Sequence, residues 1–230
     1  MNDLLRKHGL SFLLLAAVSF SFGGTNQARA QASTASAAAS APGTASAGPA
    51  IDGFRTAKFG MSESTLRSAI EKDFSLPASA ITKAENSLQR TTVLSVQVPG
   101  LVPDGGAAEV SYVLGYQSHK LIEVNILWSP EIDPKTTPAM LYQDGQSLQQ
   151  YFASEAFPPD RTTGNIATPN GVLLFRATDT TGNAVLLILS GTISKDQKAD
   201  KSVLDPNTLT LAYAADPLHP DVFQLTKGSF

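Results

Sequence analysis

A run of apolar residues at helical spacing, followed by several runs of period two, occurs twice in this chain, and that order restricts the fold more than any other feature. Leu66, Ala69, Ile70 and Phe74 recur along one helical face. The helix has a well-marked start. Ser62 is a good N-cap, Glu63 puts negative charge on the first turn, and Met61 and Leu66 have the spacing of a hydrophobic staple. Glu63 and Arg67 stand four apart in the favourable order, and Gly60 permits a sharp turn before the cap. A second helix is predicted over residues 137–152, with Met140, Leu141, Leu148, Tyr151 and Phe152 as its apolar positions. Thr136 or Thr137 caps it, Pro138 falls where proline is tolerated, and Gly145 weakens its interior.

Strands fill the remainder. Residues 91–98 alternate and are ended by Pro99-Gly100 and Pro103-Asp104-Gly105-Gly106. Residues 109–116 and 121–128 read as a hairpin, as do 171–177 and 184–190 around Asp179-Thr180-Thr181-Gly182-Asn183. A polar loop, 195–201, leads to a strand at 209–214, and a short run at 222–225 closes the chain. The expectation is an α+β fold with helices packed on an antiparallel sheet. Residues 51–230 would form the globular domain, as two tandem α-βββ halves, 51–130 and 131–230.

The start of the chain reads as export machinery. Arg6, Lys7 and His8 precede an apolar stretch at residues 10–22, and Ala28-Arg29-Ala30 supplies small residues for cleavage. A second cut is available after Ala32. The apolar stretch is shorter than the ~20 residues a bilayer span requires. Residues 1–30 are therefore expected to be a signal peptide removed near Ala30, leaving a periplasmic or secreted chain with no transmembrane segment. Residues 31–50 hold nine alanines among Ser, Thr, Gly and Pro, with no apolar face to bury, and read as a disordered linker. With no cysteine anywhere, neither a lipid anchor nor a disulfide is available, and the domain must rely on its own core.

Charge narrows the partners. After removal of residues 1–30 the chain carries 14 basic and 19 acidic residues, and the basic ones are scattered. A footprint for nucleic acid or anionic membrane is missing. Metal chemistry is poorly served by two remaining histidines, His119 and His219, and no thiol, so no metal and no cofactor are expected. Gly-x-Ser-x-Gly, Ser-x-x-Lys and P-loop patterns are absent. Glu109, Glu123 and Glu131 could pair for glycoside hydrolysis, but their spacing does not force them together, and Glu123 reads as solvent-facing. Asp216, His219 and Asp221 lie within six residues beside two prolines, either as a small catalytic site or as a plain connection. Tyr112, Tyr116 and Trp128 supply contact area for a protein partner, or pack against a helix; regular alternation would put both tyrosines on one face.

The stretch Phe59-Gly60-Met61-Ser62, with Leu66 on the helix that follows, resembles the Phe-Gly-Met-Thr corner of small bacterial envelope domains. These are the β-lactamase-inhibitor-protein-like domains and the small lipoproteins of outer-membrane barrel assembly. The chain is also similar to exported α-proteobacterial proteins without an assigned activity. The resemblance implies helices on one face of an antiparallel sheet, sometimes in tandem, and a role in binding another envelope protein. This chain departs from the pattern in having no cysteine and no such corner before its second helix. Two readings follow: an exported, non-catalytic binding or assembly module, or a small exported hydrolase with a carboxylate and histidine site. The missing catalytic motifs favour the first.

Overall fold

The structure, a computed structural model, describes residues 48–196, 201–225 and 228. The expected signal peptide, residues 1–30, and residues 31–47 of the expected linker lie outside the described residues. At Gly48, by contrast, the chain already runs closely beside Ala156 and Pro158.

Two short strands, β1 (Gly53–Phe54) and β2 (Ala57–Lys58), form a hairpin before helix α1 (Glu63–Phe74). Strands β3 (Thr82–Asn86), β4 (Thr91–Pro99), β5 (Ala107–Leu114) and β6 (Leu121–Trp128) follow as a meander. Helix α2 (Pro138–Ser154) then precedes β7 (Thr162–Thr163), β8 (Ile166–Thr168), β9 (Gly171–Thr178), β10 (Ala184–Asp196) and β11 (Lys201–Ala214). The strands after α1 make one antiparallel nine-stranded sheet in the order β3-β4-β5-β6-β11-β10-β9-β7, with β8 also on β9.

The corner before α1 works as its residues suggest. Gly60 has φ +83, and its N–H donates to the Leu121 carbonyl at 2.9 Å. Leu121 in turn donates to the Met61 carbonyl at 2.9 Å, so the corner is tied to the start of β6. The Ser62 hydroxyl accepts from the Thr65 N–H, and Arg67 pairs with Glu63 at 2.9 Å.

Strand alternation puts Leu94, Val96 and Val98, then Val110 and Tyr112, then Val124, Ile126 and Trp128 on one face. That face continues without a break across the sheet centre. Trp128 stands opposite Leu209, Ile126 opposite Leu211 and Val124 opposite Tyr213, and Leu211 meets Leu187 of β10. Leu66, Ala69 and Ile70 of α1 and Leu141 and Phe152 of α2 join these residues in one apolar core. Gly145 lets α2 lie close to the sheet, since a Cβ there would stand 2.8 Å from a Leu174 methyl.

Three sequence expectations are corrected. β3 adds a strand that residues 82–86 did not announce, because Thr, Lys, Ala, Glu and Asn show no apolar alternation. β10 and β11 run on to Asp196 and from Lys201, so the strands take in residues 195, 196 and 201 of the expected polar loop 195–201. Residues 222–225 form no strand.

Candidate functional site

Beyond β11 the chain crosses one end of the sheet as an irregular strap, residues 215–225. Ala215 donates to the Ile122 carbonyl at 2.8 Å and Phe223 to the Gln89 carbonyl at 2.9 Å. Asp221 is committed to holding this strap. Its carboxylate accepts the N–H groups of Gln117 and Ser118 at 2.9 and 2.8 Å, while its carbonyl accepts from Tyr116 at 2.8 Å. Burial works against its charge, but the bonds from Ser118 and Gln117 prevail and hold the carboxyl below its usual range. Asp216 and His219 meet each other at 3.2 Å on the exposed side of the strap.

Asp216, His219 and Asp221 therefore do not converge: Asp221 bonds to the β5–β6 turn, while the other two face solvent. Tyr116, His219, Pro220 and Phe223 line an open cleft of about 500 Å³. Among the described residues, no three His, Asp or Glu side chains are placed to hold a metal ion.

Two of the candidate contact aromatics are core residues. Tyr112 and Trp128 are 0% and 1% exposed, and burial pushes the Tyr112 phenol up. Tyr116 does not share a face with Tyr112 as alternation suggested, since β5 ends at Leu114 after a register shift. It instead packs edge-on against Phe223, at 5.6 Å, while the Arg90 guanidinium lies 3.7 Å from the Phe223 ring centre.

Two carboxylates are shielded, Glu123 in part and Asp144 wholly, and no pattern in the sequence announced either. Glu123, on the sheet face away from the helices, sits beneath the strap beside a cavity of about 30 Å³ lined by Gln89, Pro217, Pro220 and Val222. It is half-buried rather than freely solvent-facing. It accepts from the Asn125 amide at 2.6 Å, and burial pushes its carboxyl up despite that bond. Glu109 accepts from the Ser111 hydroxyl at 3.2 Å on the neighbouring strand, and Glu131 lies in the connection after β6. Asp144 of α2 is buried, and desolvation together with the nearby Asp104 charge raises its carboxyl. Its Oδ2 atom, Thr136 Oγ1 and Trp128 Nε1 are buried without a hydrogen-bond partner among the described residues.

The feature that sequence reasoning missed is a ribbon. β9 pairs with β10 as far as Ser190, and β6 pairs with β11 as far as Leu209. Gly191 still donates to the Asn170 carbonyl at 2.8 Å, but past it residues 192–196 of β10 pair, among the described residues, only with residues 201–205 of β11. Ile193 and Val203 are 42% and 51% exposed there, and their neighbours in register, Leu204 and Ser194, put them on opposite faces. The available signal was Ile193 between Thr192 and Ser194, matched by Val203-Leu204 across a charged tip. No family model, no curated protein and no solved structure matches this chain.

Proposed function

We propose that this chain is an exported, non-catalytic protein-binding module that acts in the bacterial envelope, and that the β10–β11 ribbon is its partner-contacting element. The observation that carries the reading is the ribbon itself, two strands leaving the sheet with Ile193 and Val203 exposed on opposite faces. Leu204 of the ribbon packs against the core, whereas Ile193 and Val203 stay exposed, and the natural use of such exposed apolar side chains is contact with another polypeptide. The periplasmic or secreted location rests on the residues of the signal segment. The partner is another envelope protein, since scattered basic residues suit neither nucleic acid nor anionic lipid.

We also infer that the two helix-and-strand units are tandem copies. The sheet order reads alike from both edges when β3, β4, β5 and β6 are matched with β7, β9, β10 and β11. The antiparallel pairing of β6 with β11 is the junction a local two-fold axis would make. Such an arrangement supports the resemblance to tandem envelope-binding domains. The hydrolase reading loses its candidate site, because Asp221 serves the strap and the Asp216–His219 pair faces solvent.

Affinity capture from envelope extract tests the proposal. The processed, tagged chain should retain a stoichiometric protein that an Ile193→Lys, Val203→Lys double variant of unchanged melting temperature does not. Equal retention by both proteins, or no retention by either, overturns it.

A further inference from the structure

Helix α2 contains one charged residue, Asp144, and it lies on the buried face of the helix with Leu141, Gly145 and Phe152. The helix itself is fixed. Leu141 and Phe152 anchor it in the core, and Gly145 brings it close to Leu174 and Leu209. What lies against the Asp144 carboxylate is the loop between β4 and β5, residues 100–106. A Cβ on Gly105 would stand 2.6 Å from Asp144 Oδ2, so glycine is what lets the loop press so near. The covered oxygen has no hydrogen-bond partner among the described residues.

The loop has a joint at each end. Gly100 and Gly106 have φ +65 and +75, and Asp104 between them has φ +62. Two backbone bonds close it, from the Gly100 N–H to the Gly106 carbonyl and from the Gly105 N–H to the Val102 carbonyl, each at 3.0 Å. The charged groups on the elements around Asp144 offer it no relief. Asp104, on the loop, opposes its ionisation. Asp133, in the connection before α2, is occupied by the Ala107 and Lys135 N–H groups at 3.0 Å, and the Lys135 charge acts on Asp133. β6, β9 and β11 bring Trp128, Leu174 and Leu209 to this part of α2, and none of these is charged.

A charge buried without a partner costs far more than a neutral carboxyl in the same place. It is relieved by taking up a proton or by admitting water, and α2 cannot yield without breaking the core. We infer that the β4–β5 loop is an acid-latched lid, which lies closed over a protonated Asp144 and swings out on Gly100 and Gly106 when Asp144 ionises. Burial, and then the Asp104 charge, push the Asp144 carboxyl up while the lid is closed. The advantage of the closed form is fully present below the ordinary value of the hydrated carboxyl and is lost as pH rises through the raised one. Val102 is buried in the closed loop, so opening also bares apolar surface.

Hydrogen exchange on the processed chain, corrected for the intrinsic rate at each pH, tests the lid. The Gly100 and Gly105 amides should be at least about tenfold less protected at about pH 7 than at about pH 4. The Val110 amide, in the sheet interior, should stay protected at both. Asp144→Asn keeps the shape and removes the charge, so both loop amides should remain protected at either pH. Asp104→Asn leaves Asp144 in place, suits a positive φ, and should make the fall smaller. A wild-type loop equally protected at the two pH values overturns the inference, as does a fall that Val110 shares or one that persists in Asp144→Asn. If Asp144→Asn does not fold, an undiminished fall in Asp104→Asn overturns it instead.

Discussion

Among the described residues, Glu123 has one side-chain hydrogen bond and no cation beside it. Asn125 donates to it at 2.6 Å, and the strap shields it from water. Its carboxyl is raised in the fold, so the protonated form is the one folding favours. The stability this protonation contributes is fully present below the unfolded value and is lost as pH rises through the folded one. Glu123→Gln keeps an acceptor for Asn125 and removes the charge. At pH 7 it should raise stability by about 1 kcal/mol, and near pH 4 the difference from wild type should vanish, as urea denaturation at the two pH values will show. Asp179 responds in the opposite sense. Burial opposes its charge, but N–H groups of Ile51, Thr181 and Asn183 and the Thr181 hydroxyl hold its carboxyl low. Its contribution is present above the unfolded value and is lost as pH falls through the folded one. Asp179→Asn should therefore destabilise the protein at pH 7 by roughly 1–2 kcal/mol, and progressively less at lower pH.

At the scale of elements, the strap depends on a side chain the sequence offered for catalysis. Asp221 joins the strap to the β5–β6 turn through Gln117 and Ser118, and Phe223 is then held between Arg90 and Tyr116. Asp221→Ala should cost roughly 1–2 kcal/mol. Hydrogen exchange should accelerate at the Tyr116 and Phe223 amides, which bond to the Asp221 and Gln89 carbonyls, while the β4 and β5 amides stay protected. Unchanged exchange at Tyr116 would show that the strap holds without it. The same contrast explains what could be read in advance. β6 was legible to the residue because one of its faces is buried, so apolar and polar residues alternate along it. α1 was legible because Ser62, Met61 and Leu66 mark its start. β3 is an edge strand with little apolar content, and the ribbon leaves Ile193 and Val203 exposed on opposite faces, so neither imposes a pattern. Asp216, His219 and Asp221 looked like a site because they are close in sequence; the direction of Asp221 is set by a turn about 100 residues away, as its 104-position separation from Gln117 shows, while the other two bond each other at the surface.

For the whole molecule, the consequential joint is between β6 and β11. Each helix with its own strands resembles a small domain, which raises the question of whether the chain unfolds in one step or two. The answer lies in the side chains at the joint. Ile126 and Leu211 face each other there, flanked by Val110 on one side and Leu187 on the other, all nearly fully buried. A row of this kind leaves neither half a complete core when the other unfolds, because each would expose the apolar face of its central strand. The chain should therefore unfold as one cooperative unit. Trp128, at the end of β6, gives a fluorescence signal at the joint, and far-UV circular dichroism reports on all strands together. The two signals should give coincident urea transitions with a single midpoint. Leu211→Ala removes buried atoms at the joint and should lower stability by about 2–4 kcal/mol, moving both transitions equally and leaving the slope unchanged. If circular dichroism instead resolves two steps, of which Leu211→Ala shifts only one, the halves are separate folding units that share a sheet but not a fate.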